Sequence, residues 1–168
     1  MIKNTKLKNM ARRNLTQEMI LEFFHGDQFE VSKVKPVRNS HRTWLNKPEG
    51  GLWTSPEDSP LRWKDFCKDW RDPGQKSKLR LKPESKIYVL DDWDDFYDLP
   101  TKEISGPLGP EKIVDWQELA NQGFQAFHLT NEGAMKFHLD APKGYADFNT
   151  WDVETVYILD PNCIEEIV

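Results

Sequence analysis

Apolar positions along the chain recur in short runs separated by turn residues. Ile20, Leu21, Phe23 and Phe24 form one such run, stopped by Gly26-Asp27, which predicts a strand over 20–25 fed by a short helix or turn over 15–22. Phe29 to Val37 reads as a second extended piece with Phe29 and Val31 inward, and residues 39–49 have loop composition. Leu52-Trp53-Thr54-Ser55 predicts a short strand that Pro56 ends. Leu61, Trp63, Phe66, Cys67 and Trp70 then fall at helical spacing, with Ser59-Pro60 as cap and first turn, so an amphipathic helix is expected over 59–70.

The second half continues in the same way. Asp72-Pro73-Gly74 breaks the chain and a basic segment runs to Leu81. Lys86–Leu90 predicts a strand, and Asp91 to Tyr97 an acid-led helix, because negative charge in a first turn complements the helix dipole. Residues 104–110 read as a loop, 115–121 as a helix ending near Gly123, and 124–129 as a strand. Turn and loop with a short amphipathic piece are expected over 131–144, then a strand over 153–159, an Asp160-Pro161-Asn162 turn and a closing apolar edge over 163–168. Strands and helices alternate without a βαβ rhythm, which favours an α+β fold.

Composition narrows the class. A chain of 168 residues suits one domain, with a basic lead over 1–19 and the domain proper over 20–168. Apolar residues make up 38% and aromatics 12%, enough to fold. A net charge of −5 lacks the overall footprint of a nucleic-acid binder, although Lys76, Lys78, Arg80 and Lys82 form a basic strip. Cys67 and Cys163 stand far apart with no zinc-ligand spacing, so reduced cytoplasmic thiols are expected and no metal site. The carboxylates at Asp91 to Asp95 lack an oxygen-ligand loop pattern. No run approaches the ~20 apolar residues needed to span a bilayer, and no membrane association is expected.

Three segments in order carry a family resemblance: Phe23-Phe24-His25-Gly26-Asp27, Lys47-Pro48-Glu49-Gly50-Gly51-Leu52-Trp53-Thr54-Ser55-Pro56, and Trp151-Asp152-Val153-Glu154-Thr155-Val156-Tyr157-Ile158-Leu159-Asp160-Pro161. Together they resemble the signature of the ADP-ribosyltransferase superfamily in its His–aromatic–Glu form. They are similar to that of small phage-encoded ADP-ribosyltransferases, anti-CRISPR examples among them. The resemblance implies split mixed and antiparallel sheets with flanking helices, and NAD as substrate.

It also implies roles. His25 would bond a ribose hydroxyl of the adenosine half and Gly26 would pair its backbone with the nicotinamide amide, where glycine allows close approach. Trp53 takes the place of the aromatic that stacks on nicotinamide, with Thr54 and Ser55 as hydroxyl donors. Arg38, Arg42 and Lys47, in the loop between the first two segments, are candidates for the pyrophosphate. Glu154 matches the carboxylate that stabilises the oxocarbenium-like ribose as nicotinamide departs. Asp152 stands where many arginine- or asparagine-directed members carry Gln or Glu, and would orient the acceptor. The expected activity is mono-ADP-ribosylation of a macromolecule, a host protein in the phage-like case, in the host cytoplasm. The alternatives are a non-catalytic module of the same fold acting by protein contact, and a nucleic-acid binder using the basic strip.

Overall fold

The computed structural model describes residues 16–25, 29–40, 45–67, 74–106 and 109–167. Strands β1 (Leu21–His25), β4 (Leu52–Pro56), β5 (Gln75–Leu81), β6 (Ile87–Leu90), β9 (Ala126–Leu129), β10 (Thr155–Ile158) and β11 (Ile164–Ile167) form one curled mixed sheet, in the order β11-β5-β1-β4-β10-β9-β6. Neighbours are antiparallel except β6 and β9, which run parallel from Ile87↔Ala126 to Leu90↔Leu129. Two small pairs flank it: β2 (Arg38–Asn39) with β3 (Pro48–Glu49), and β7 (Thr101–Gly106) with β8 (Gly109–Val114). The helices are few and short: α1 (Trp63–Cys67), α2 (Trp93–Asp98), α3 (Trp116–Asn121) and α4 (Asn131–Phe137). The architecture is mixed α+β.

Period-two alternation assigns each strand residue to a face. On one face Leu21, Phe23, Leu79, Leu81, Ile87, Val89, Ala126, Val156 and Ile158 make a buried cluster. On the other, Leu90, Phe127, Leu129 and Tyr157 join Trp116, Phe137, Phe148 and Trp151 from the covering helices and loops. Aspartates and a threonine start the covering helices: Asp92 and Asp95 form a capping box on α2, Asp115 caps α3 and Thr130 caps α4. The carboxylates at the start of α2 are thus hydrogen-bonded to backbone, and no cluster suited to a metal ion occurs among the described residues. Nor does any described helix have the length and apolar character to cross a membrane.

Several expectations need correction. The segment 29–37 is not a strand: Val31–Lys33 is a single 3-10 turn between extended Glu30 and Val34, and strand pairing begins only at Arg38–Asn39. The basic segment before Leu81 is strand β5, with Ser77, Leu79 and Leu81 inward and Lys76, Lys78 and Arg80 outward. Residues 104–106 and 109–110, expected in a loop, are strand residues of β7 and β8, and the last pair toward the turn is Gly106↔Gly109. The helix after Ser59 starts at Trp63, because Ser59 Oγ donates to the Leu61 carbonyl and holds a turn there; Trp70 lies outside the described residues. Asn131–Phe137 is a regular helix.

Candidate functional site

The ladder between β1 and β4 is short. Only Leu21↔Pro56 and Glu22↔Ser55 pair; beyond them β1 continues against β5 alone, and Leu52 to Thr54 pair with β10 alone. A cleft of about 290 Å³ opens where the strands part, lined by Glu22, Phe24, Lys47, Trp53, Ser55 and Trp63 and by residues 150–153 and 155. That volume is at the lower end of the roughly 300–1,000 Å³ typical of small-ligand sites.

The Gly50-Gly51 pair sets the aim of β4. Both have positive φ, and a Cβ on Gly51 would lie 2.5 Å from the Ile158 carbonyl oxygen and the Tyr157 hydroxyl. Tyr157 is buried, which pushes its phenol well above the usual range, and its hydroxyl donates to the Gly50 carbonyl at 2.8 Å. The strand that follows presents Trp53 against Trp151 and Tyr157, with ring centroids 4.6 and 4.8 Å away, while its remaining face borders the cleft. Lys47 Nζ sits 5.4 Å from the Trp53 ring centroid. Ser55, two residues on, is buried, lines the cleft, and is among the described residues whose side chain makes no protein hydrogen bond. Thr54 points the other way, its hydroxyl donating to the Val156 carbonyl.

Asn46 fixes the two walls to each other. Its Nδ2 donates to the carbonyls of Ala146 and Asp147 at 2.8 and 3.0 Å, its Oδ1 accepts from Val114 N at 2.8 Å, and its carbonyl accepts from Trp151 Nε1 at 2.8 Å. The neighbours of these anchors, Lys47 and Asp152, both face the cleft. Asp152 is half-buried and makes no ion pair or hydrogen bond with a described residue.

Glu154 lies behind the sheet. It is 8% exposed, and its Oε1 is 2.8 Å from His128 Nε2; His128 Nδ1 is in turn 2.8 Å from Thr16 Oγ1. Burial alone pushes the Glu154 carboxyl up, but the hydrogen bond and charge of His128, with bonds from the Ser59 hydroxyl and the Asn131 backbone N–H, hold it below the usual carboxylate range. His25 is on that same face, packed on Phe23 and Phe29, with Nε2 2.8 Å from Ser77 Oγ. The apolar cluster that contains Phe23 and Val156 stands between it and Glu154. Arg38 is exposed and paired with Glu49 at 2.8 Å, away from the cleft. Gly26 and Arg42 lie outside the described residues. The cleft thus gathers Lys47, Trp53, Ser55 and Asp152, is bordered by Thr54 with its hydroxyl turned to the Val156 carbonyl, and leaves His25, Arg38 and Glu154 elsewhere.

Glu22 is a cleft residue that sequence reasoning passed over. Its side chain is 2% exposed and is paired with Lys76 Nζ at 2.9 Å. The available signal was a lone carboxylate inside the apolar run, on the Phe24 side of the strand. On the neighbouring strand Lys78 pairs with Glu57, so two of the four cations in the basic strip are already matched.

Comparison of the chain with protein-family profiles, curated proteins and solved structures yields no match. The site's chemistry therefore stands on its own geometry: aromatic faces from Trp53 and Trp63, an unpartnered hydroxyl, and carboxylates at Glu22 and Asp152 beside the exposed Lys47.

Proposed function

We propose that the chain is a mono-ADP-ribosyltransferase that takes NAD as substrate, with the nicotinamide end in the cleft, and passes ADP-ribose to a macromolecule. One observation carries the reading. The three segments that resemble the ADP-ribosyltransferase signature lie on or at the start of three neighbouring strands, β1, β4 and β10, and the first two part to form the cleft. An ADP-ribosyltransferase-like fold, with this parting as its split, is part of the same proposal.

The cleft volume suits a nicotinamide ring and part of its ribose, so the adenosine half would extend outside. Trp53 offers an apolar face to the ring and Ser55 a hydroxyl to the sugar. Asp152, the carboxylate at the cleft wall, stabilises positive charge on the ribose as its bond to the nicotinamide nitrogen breaks. The electron pair leaves with neutral nicotinamide, and the acceptor nucleophile bonds to the same carbon and gives up its proton. The acceptor is a protein in this reading, and the setting a host cytoplasm.

A second reading is a non-catalytic module of the same fold, favoured by the engagement of Glu154 with His128. NAD labelled in its ADP-ribose half, incubated with the protein and a bacterial lysate, separates the two. Label on lysate protein supports transfer, and a thermal shift with NAD but no transfer supports the binding module. Absence of both rejects the NAD cleft.

A further inference from the structure

The charges around the cleft divide by exposure. Glu22 projects from β1 with its side chain 2% exposed, and Asp152 stands half-buried in the wall two residues after Thr150. Of the nearby cations, Lys47 lines the cleft and is exposed, and Lys76, the partner of Glu22 on β5, has a side chain 39% exposed. Lys47 already holds its ammonium 5.4 Å from the Trp53 ring centroid, so that aromatic face accepts a positive charge. A lysine stem loses little when it swings back into water, whereas Glu22, once desolvated, needs a counter-charge.

We infer that Glu22 makes the cleft selective for a planar heteroaromatic cation, and so for the positively charged nicotinamide ring over its neutral counterpart. The inference rests on the reading of the cleft as the nicotinamide site and names the residue that sets its charge preference. The incoming ring takes the place of the Lys47 ammonium at Trp53 and lies in the field of Glu22, while Lys76 tempers that field. Glu22 is a specificity residue here and has no part in bond breaking. Removing its charge lowers preference for the cation, and removing Lys76 raises it.

The test is calorimetric titration of the full chain with two probes of nearly the same shape, 1-methylnicotinamide, a cation, and nicotinamide, which is neutral. The wild type binds the cation more tightly. Glu22→Gln reduces the ratio of the two affinities about tenfold, and Lys76→Met increases it, with thermal melting of each variant establishing that it is folded. Equal binding of both probes by the wild type, binding of neither, or a ratio unmoved in both variants overturns the inference. Nicotinamide release from NAD is measured in parallel. A wild type that prefers the cation in a Glu22-dependent way but releases no nicotinamide sinks the transferase and leaves the selectivity standing.

Discussion

Glu154 Oε1 and His128 Nε2 lie 2.8 Å apart on the face of the sheet turned away from Trp53 and Ser55. Thr155, the first residue of β10, lines the cleft, and Glu154 just before it is turned to the opposite face. The pair, with Thr16 beyond it, is a satisfied polar network beneath an apolar layer.

Removing the carboxylate strands a buried imidazole nitrogen, and Glu154→Ala is expected to cost about 1–3 kcal/mol in urea unfolding. The effect depends on pH. The folded-state pKa of Glu154 is below its ordinary 4.5, so its contribution is complete above that value and fades as pH falls through the lower folded pKa. The stability gap between wild type and Glu154→Gln therefore narrows on acidification from pH 6 to about pH 3.

Gly51→Ala places a methyl group against the Ile158 carbonyl at a positive φ. A loss of roughly 1–3 kcal/mol is expected. Trp53 fluorescence should change with it, because the strand that carries Trp53 must shift.

Asn46→Ala removes the side-chain bonds that hold residues 146–147 and Val114 together. Amide exchange over 145–153 should quicken, and affinity for NAD should fall through loss of the wall that carries Asp152. Unchanged exchange there would remove the clamp from the account.

Cys163 is buried, which with nearby Asp160 pushes its thiol up to about 12, and Cys67 is fully buried. Iodoacetamide at pH 8 should label neither in the native protein and both after unfolding, as mass spectrometry would read.

Much of the sheet was legible because its core strands carry apolar runs. Leu21 to His25, Leu52 to Pro56 and Ile87 to Leu90 fall within a residue or two of the pattern that predicts them. Strand β5 is hard to read in the sequence because Lys76, Lys78 and Arg80 mask the Leu79 and Leu81 alternation. The β7–β8 pair is hidden in the sequence because Gly106, Gly109 and Pro110, residues of loop composition, are themselves ladder residues. Of the site, alternation separates Trp53 from Leu52 and Thr54, but which face stays open depends on where β1 and β4 part. That is a property of the whole sheet. The same dependence explains why Glu22, in an apolar run, ends in the cleft, and why Glu154, in a signature-like segment, does not.

The most direct measurement is release of nicotinamide from labelled NAD by the wild type, Asp152→Asn and Glu154→Gln proteins, with NAD binding followed in each. The account predicts release by the wild type, loss of release in Asp152→Asn with binding kept within several-fold, and residual release in Glu154→Gln in proportion to its folded fraction. Release at the parental rate by Asp152→Asn, with none from a fully folded Glu154→Gln, would contradict it and move the reacting carboxylate to the other face of the sheet.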